Sequence, residues 1–305
     1  MSLQDCFRGA MLGTALGDAI GRSREGRGII DQDDIERLAR EKELLKYTDD
    51  TQQMISLAEM LVEKERFDGE YFGERLVENF DPSRGYGPGS KKVIRSIENG
   101  QRWNKPASSL YGGEGSYGNG SSMRTAPVGL FCHDRLAELR TLAENCSSIT
   151  HVHRLGLEGA VLQSYSVALA LNRNCSAGLD NSEFLSEVRR HIDGEEYQEK
   201  IDRIEDLLDA DPEKEEVIDQ LGNGFEALYS VPTALYSFLS QNSSFESAVT
   251  YAVSLGGDAD TIGAMTGAIS GSCFGVSEIP SEWLENLEHK GYIIELADGL
   301  LESKK

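Results

Sequence analysis

Two acidic clusters in the sequence have residue types and a spacing that suit the binding of cations. The first lies in YTDDTQQM, residues 47–54, and the second in GGDADTIGAMTGAISG, residues 256–271. Each stands at the predicted start of a helix, where Asp and Thr side chains commonly cap the free N–H groups of the first turn. Capping therefore explains either cluster taken alone. The residues that offer oxygen atoms to a cation are Thr48, Asp49, Asp50, Asp258, Asp260 and Thr261.

Glycine spacing gives a reason to expect that the two clusters meet. The N-terminal helix and the helix after the second cluster each carry a glycine at every fourth position, and residues four apart share one face of a helix. These glycines are Gly9, Gly13 and Gly17 in the first helix and Gly263, Gly267 and Gly271 in the second. We predict that both helices pack closely along these faces. If the acidic helix ends converge in a buried centre, the aspartates cannot all stay ionised without cations.

The donor set indicates which cation would bind. It consists of carboxylate and hydroxyl oxygens, without clustered Cys or His. Hard cations prefer such ligands, so we predict Mg²⁺, with Mn²⁺ or Ca²⁺ as alternatives, and do not expect zinc.

The elements that must position these clusters are predicted to be helices. Apolar residues follow helical spacing along most of the chain, for example Met54, Leu57, Ala58, Leu61 and Val62. A repeated alternation of strands and helices is missing, so we predict an all-α fold. Specifically, we expect a single-domain orthogonal bundle of many helices over residues 1–305, with peripheral charged helices at about 180–222.

Composition excludes several classes of protein. The chain has 305 residues and a formal net charge of −22, which disfavours a nucleic-acid partner because the field would repel a polyanion. Five scattered cysteines argue against a disulfide framework and indicate a reducing compartment. Neither a basic signal segment nor an apolar run of membrane-spanning length is present. We therefore expect a soluble, cytoplasmic protein without a membrane partner, and a monomer.

A glycine-rich segment between the acidic clusters suits a phosphate group. Residues 113–118 satisfy G-x-G-x-x-G, but a helical pattern precedes them, so the strand of a dinucleotide fingerprint is missing. Consecutive backbone N–H groups can still form a nest for a diphosphate. Tyr111 and Tyr117 flank this segment and would stack an adenine. A mobile surface loop is the alternative interpretation.

Histidine and glutamate residues outside these motifs have simpler interpretations when taken alone. His151 and His153 are two positions apart and face different ways on a helix, so they cannot share a metal ion. One of them could donate to a phosphate, whereas a structural hydrogen bond is the commoner role. Glu25 lies in the charged loop GRSREGRG, where composition alone indicates a solvated carboxylate.

These motifs, taken in order, resemble the ADP-ribosylglycohydrolase family and in particular its serine-linked ADP-ribosylhydrolase branch. The resemblance runs through GTALGDAIGRSREG, YTDDT, RGYGPG, GSYGNGSSMR, THVHRLGLEGA, LGNGFEALYS and SLGGDADTIGAMTGAISG. It implies an all-helical fold with a central pair of Mg²⁺ ions.

The resemblance also implies roles for individual residues. The metal ligands would be Thr48, Asp49, Asp50, Asp258, Asp260 and Thr261, and the diphosphate and adenosine loop would be Gly115, Ser116, Tyr117, Gly118 and Asn119. Tyr111 and Phe225 would be walls of the adenine pocket, and His151 would contact a phosphate. Glu25 falls on the position of a catalytic or gating glutamate, which reverses its interpretation as a solvated side chain. The proton acceptor would be Asp50 or Glu25.

The activity implied is the Mg²⁺-dependent hydrolysis of the O-glycosidic bond between ADP-ribose and a protein serine, with poly-ADP-ribose or O-acetyl-ADP-ribose as further substrates. The partners would be ADP-ribose and ADP-ribosylated protein. Two alternatives stay open. One is cleavage of arginine-linked ADP-ribose, as in the dinitrogenase-reductase-activating relatives, and the other is a non-catalytic protein that only binds ADP-ribose or has a structural role.

Overall fold

The computed structural model describes residues 1–41, 44–173, 175 and 178–303. The α-helices in this part of the chain are α1 (Leu3–Gly21), α2 (Gln32–Glu41), α3 (Asp49–Lys64), α4 (Gly69–Glu78), α5 (Pro88–Glu98), α6 (Ala126–Phe131), α7 (Leu136–Ser148), α8 (Arg154–Leu171), α9 (Asn181–Arg189), α10 (Glu195–Ala210), α11 (Lys214–Leu221), α12 (Ala227–Ser240), α13 (Phe245–Ser254), α14 (Ala259–Phe274), α15 (Ser281–Asn286) and α16 (Lys290–Glu302). Short 3-10 helices occupy Pro82–Arg84, Ala107–Gly113, Asn119–Ser121 and Val276–Glu278. The described residues include isolated β-bridges but no strand. The all-α prediction is confirmed.

Helices α1 and α14 form an antiparallel pair at the centre of the fold. Their glycines face each other in register, because a Cβ atom added at Gly13 would lie 2.2 Å from the carbonyl oxygen of Gly267. One added at Gly17 would lie 2.0 Å from the carbonyl oxygen of Gly263. No side chain fits at such distances, so the backbones touch. The close approach predicted from the four-residue spacing is therefore present.

This pairing places the C-terminal end of α1 against the N-terminal end of α14. A Cβ atom at Gly21 would lie 2.4 Å from the carbonyl oxygen of Ala259. The turn that follows α1 and the acidic start of α14 consequently lie side by side. The second acidic cluster is thus held at one end of the central helix pair.

The charged segment predicted at about 180–222 forms helices α9, α10 and α11. Their charged faces are exposed, while Tyr197, Ile201 and Ile204 of α10 are fully buried. These helices therefore contribute one apolar face each to the core, as the helical spacing of their apolar residues indicated.

One expectation about the cysteines was wrong. Cys175 and Cys273 form a disulfide, with their Cα atoms 5.7 Å apart. The sequence gives no sign of this pairing because the two residues are 98 positions apart and meet only through the packing of α8 and α14. Cys6 and Cys146 are buried and form no disulfide among the described residues. Among the described helices, none is both long enough and apolar enough to cross a bilayer.

Candidate metal centre and active site

The first acidic cluster is anchored by a buried aspartate of α1. The Asp18 carboxylate accepts hydrogen bonds from the backbone N–H of Thr48 at 2.8 Å and from the hydroxyl of Thr51 at 2.6 Å. It also accepts from the Thr51 N–H at 3.1 Å. These bonds hold the start of α3, with Asp49 and Asp50, beside the same end of α1 that contacts α14.

Amide side chains fix the orientation of two of the carboxylates. The side-chain amide of Asn119 donates to Asp258 Oδ2 at 2.5 Å and to the Ser230 hydroxyl at 2.9 Å. The side-chain amide of Gln53 donates to Asp49 Oδ2 at 2.8 Å. Both carboxylates are therefore held in place before any ligand binds.

Burial makes this group of carboxylates electrostatically costly. It raises the pKa of Asp49 to about 7 and that of Asp258 to about 6, with the neighbouring carboxylates of Asp18 and Glu25 adding to the respective shifts. Burial and the surrounding aspartates raise the pKa values of Asp50 and Asp260 well above their usual range. Like charges in a desolvated site disfavour ionisation unless a cation offsets them.

The arrangement fits hard divalent cations. Asp50 Oδ2 is buried and has no hydrogen-bond partner among the described residues, so one oxygen atom is left to bind a ligand. Carboxylate oxygens of Glu25, Asp258 and Asp260 lie within 4.8 Å of one another. All of these donors are oxygen atoms, which favours Mg²⁺ over zinc.

Glu25 reaches this centre because its turn is tied to the start of the second cluster. The N–H of Gly26 donates to the carbonyl oxygen of Gly257 at 2.7 Å, and the N–H of Gly257 donates to the carbonyl oxygen of Arg27 at 2.8 Å. Gly257 has φ of 64°, and a Cβ atom there would lie 2.1 Å from the carbonyl oxygen of Asn223. Glycine is therefore required at this position to seat the turn that carries Glu25.

The glycine-rich segment forms the opposite side of the cavity. It is held against the start of α12 by the N–H of Asn119, which donates to the Phe225 carbonyl at 2.9 Å, and by the N–H of Ala227, which donates to the Tyr117 carbonyl at 3.0 Å. Gly115 has φ of 79°. This geometry does not favour the interpretation as a mobile loop, because hydrogen bonds to the residues around the start of α12 fix the segment.

His151 is a buried histidine whose ring faces the glycine-rich segment. A Cβ atom added at Gly120 would lie 3.3 Å from His151 Nε2. Its Nδ1 lies 2.7 Å from the hydroxyl of Thr150. Burial, together with the positive charge of Arg124, lowers the pKa of His151 to about 3, so the ring is neutral. His153 instead caps α8, where its Nδ1 accepts from the Leu155 N–H at 3.2 Å.

A cavity of about 480 Å³ joins these groups. The predicted residues that line it are Glu25, Asp49, Asp50, Tyr111, Gly115, Ser116, Tyr117, Gly118, Asn119, His151, Phe225, Asp258, Asp260 and Thr261. Thr48 is the predicted residue outside the lining; its hydroxyl caps α3 by accepting from the Asp50 N–H at 3.4 Å. The aromatic side chains of Tyr111, Tyr117 and Phe225 are exposed at the rim of this cavity, and Phe225 is the most exposed of the three at 61%.

Several residues that shape the site were not predicted from the sequence. Asp18, Gln53 and Arg124 are fully buried polar side chains that support it, and residues 85 and 87–90 line the cavity. A signal existed for Asp18, because it is the one charged residue among the apolar and small residues 9–21 of α1. For Gln53 and Arg124 the sequence offers no comparable signal, since both stand among polar neighbours.

Comparison with known proteins agrees with this geometry. The profile of the ADP-ribosylglycohydrolase family matches residues 1–305. The chain belongs to this family, and the prediction that it is an ADP-ribosyl hydrolase is confirmed at that level.

Individual relatives extend the comparison. The human protein named ADP-ribosylhydrolase ARH3 is 33% identical over 92% of this chain and 89% of its own length. A Pseudomonas putida protein named ADP-ribosylarginine hydrolase Tri1 is 28% identical over 98% of this chain and 78% of its own length. A solved structure described as an ADP-ribosylglycohydrolase-related protein complex superposes with a TM-score of 0.72 at 26% identity and covers 99% of both chains.

Proposed function

We propose that the protein cleaves the O-glycosidic bond between ADP-ribose and a protein serine, with two Mg²⁺ ions at the ends of α3 and α14. The observation that carries the proposal is the convergence of the two acidic clusters, Glu25 and the glycine-rich segment on one cavity. The higher identity to the ARH3 protein than to the arginine hydrolase supports the serine linkage.

Each part of the cavity has a place in this reaction. The ligands Thr48, Asp49, Asp50, Asp258, Asp260 and Thr261 would hold the ions, which supply positive charge that polarises the ribose and water oxygens. The backbone N–H groups of Ser116 and Tyr117, which donate to no acceptor among the described residues, and His151 Nε2 would bind the diphosphate. Tyr111, Tyr117 and Phe225 would enclose the adenine.

The hydrolysis itself requires a proton acceptor near the anomeric carbon. A glycosidic bond breaks through an oxocarbenium-like state, and water then attacks the ribose carbon. Asp50 or Glu25 would take the proton of that water. Glu25 is the exposed member of the cluster that it forms with Asp258 and Asp260. There it would donate a proton to the leaving serine oxygen or shield that oxygen.

A comparison of linkages tests the proposal. Two peptides of one sequence, modified at serine or at arginine, are incubated with the protein in Mg²⁺ or in excess chelator, and released ADP-ribose is measured. We expect release from the serine peptide in Mg²⁺ alone. Release from the arginine peptide only would support the alternative linkage, and tight ADP-ribose binding without release from either would identify a binding protein.

A further inference from the structure

The turn that carries Glu25 concentrates positive charge on a strongly acidic chain. Residues 22–28 contain Arg22, Arg24 and Arg27 but only one acidic residue, whereas the whole chain has a formal net charge of −22. Arg22 and Arg27 are exposed and Arg24 is half-buried. Backbone hydrogen bonds from Gly26 and Gly257 fix this turn beside the acidic end of α14. The backbone that carries the three arginines is therefore held beside the cavity, which Glu25 lines.

These three arginines lack a partner of opposite charge in the part of the chain that the structure describes. None of them forms an ion pair or a side-chain hydrogen bond there, although Arg8, Arg84 and Arg140 each bind a carboxylate. Arg24 Nε is buried without a hydrogen-bond partner among the described residues. A desolvated donor without an acceptor lowers stability, so a binding partner would relieve a cost that the free protein carries.

The position of the turn indicates what that partner is. Glu25 lies next to Asp258 and Asp260, where the bond to the protein is cleaved under the proposed function. The chain on either side of the modified serine must therefore pass along residues 22–28. We propose that the arginines of this turn bind acidic side chains that flank the modified serine, an inference that rests on the proposed function.

Matched peptides and matched variants test this surface. Two serine-modified peptides carry either Glu or Gln at the flanking positions, and kcat/KM is measured for each. The double variant R22Q/R27Q is compared with R66Q/R102Q, which removes the same charge at two other exposed arginines. We expect the preference for the Glu peptide to fall about fivefold in the first variant, as two exposed ion pairs would allow, and to stay unchanged in the second.

Two results would overturn this inference. One is an equal loss on both peptides, which would indicate general attraction of ADP-ribose. The other is an unchanged preference in R22Q/R27Q. If the unmodified protein releases ADP-ribose from neither peptide, the proposed function fails instead, so the two failures are distinguishable.

A separate observation concerns a buried chain of hydrogen bonds between the two sides of the cavity. Arg124 is fully buried and donates to Gln53 Oε1 at 2.7 Å and to the Thr150 hydroxyl oxygen at 2.8 Å. Gln53 in turn donates to Asp49, and the Thr150 hydroxyl contacts His151 Nδ1. Arg124 forms no ion pair in the described part of the chain.

The direction of each bond follows from the chemistry of arginine. A guanidinium has only donors, so the oxygen of Gln53 must face Arg124 and its NH₂ must face Asp49. The Thr150 oxygen likewise accepts from Arg124. Its hydroxyl hydrogen then points to His151 Nδ1, because the described residues offer it no other acceptor within hydrogen-bond distance. His151 consequently carries its ring proton on Nε2, the nitrogen that faces the glycine-rich segment.

We infer that Arg124 is a positioning residue that sets the tautomer of His151 and the amide orientation of Gln53 together. Arg124 thereby directs the Nε2–H of His151 towards the proposed diphosphate site. Through Gln53 it also fixes the Asp49 carboxylate at the proposed metal centre. The pattern requires a group that only donates hydrogen bonds to both Gln53 and Thr150, and the buried guanidinium of Arg124 supplies it.

The tautomer can be observed directly. T150V removes the hydroxyl that links Arg124 to His151. T125V removes a neighbouring buried hydroxyl that bonds to neither of these residues and serves as the control. We expect ¹⁵N shifts of His151 to show a single Nε2–H form in the unmodified protein and T125V, and a mixture in T150V. ADP-ribose affinity should fall in T150V in proportion to the fraction of His151 that leaves the Nε2–H form, about twofold for an equal mixture. An unchanged tautomer and affinity in T150V would overturn the inference.

Discussion

Asp50 has one carboxylate oxygen that is buried and bonded to nothing among the described residues, and this atom gives the clearest support for the proposed cation site. Sequence alone predicted Asp50 and the five other oxygen donors as cation ligands, because Asp and Thr stand together at two helix starts. It did not identify Asp18, whose carboxylate holds α3 in place through Thr48 and Thr51. Hydrogen bonds to backbone N–H groups leave no pattern of residue types, so such an anchor is visible only in the structure.

The substitution D260N tests the role of a single ligand. An amide oxygen replaces a carboxylate, so the centre loses one negative charge and binds divalent cations less tightly. We expect hydrolysis to fall by about a hundredfold or more, as removal of a catalytic electrostatic group does. Cation binding measured by calorimetry should weaken in parallel. Normal activity in this variant would contradict the metal assignment.

The pH dependence of stability follows from the raised pKa values. An aspartate whose pKa is about 7 when folded, as for Asp49, or about 6, as for Asp258, favours the folded state in its protonated form. This contribution is fully present below the unfolded value near 4 and is lost as pH rises through 6–7. The chelated protein should therefore melt several degrees lower at pH 8 than at pH 5, by about 2–4 °C per kcal/mol.

Mg²⁺ provides the control for that pH effect. Ions bound to the folded state alone stabilise it by mass action and remove the repulsion between ionised carboxylates. The melting temperature at pH 8 should therefore rise with Mg²⁺ more than at pH 5. A chelated protein whose melting temperature rises steadily from pH 5 to pH 8 would contradict the electrostatic account of the centre.

At the scale of elements, the pairing of α1 with α14 was predictable and the disulfide was not. Six glycines at intervals of four leave one face of each helix without side chains. Close contact between the two backbones is therefore the packing that these faces favour. By contrast, the Cys175–Cys273 pairing depends on where two distant helix ends come to lie. The cavity wall from residues 85 and 87–90 was missed because Gly- and Pro-rich residues predicted only a loop.

The substitution G13A tests the helix contact. Its methyl group would lie 2.2 Å from the carbonyl oxygen of Gly267, so α1 and α14 must separate. We expect the free energy of unfolding to fall by about 1–3 kcal/mol, the usual effect of overpacking. G291A is the matched control in α16, since nothing lies within 4 Å of the added methyl group. It should be neutral or stabilising by up to about 1 kcal/mol. Equal effects of both substitutions on the free energy of unfolding would show that α1 and α14 pack less closely than they do in the structure.

At the scale of the whole molecule, the net negative charge of the protein opposes binding of the proposed substrate. The formal net charge of −22 repels a diphosphate, and Glu114 adds a carboxylate to the cavity lining. Under the proposed function, capture of the diphosphate would depend on short-range groups, namely the cations and the backbone N–H groups of the glycine-rich segment. Composition revealed the global field, but only the structure shows that the acidic clusters and the glycine-rich segment share one cavity.

Salt should consequently accelerate encounter with a substrate of neutral flanks. Ionic strength of about 0.1 M screens charges beyond roughly 10 Å, so it weakens the global repulsion more than the contacts inside the cavity. We expect kcat/KM for the Gln-flanked peptide to rise between low and moderate ionic strength. A steady decrease over this range would show that long-range attraction guides the substrate instead.

Anomalous diffraction from crystals grown with Mn²⁺ tests the central claim most directly, because it locates cations without reference to activity. The account predicts two peaks between the starts of α3 and α14, with Asp49 and Asp50 on one side and Asp258 and Asp260 on the other. Peaks bound by only one of the two acidic clusters, or no peak between them, would contradict it.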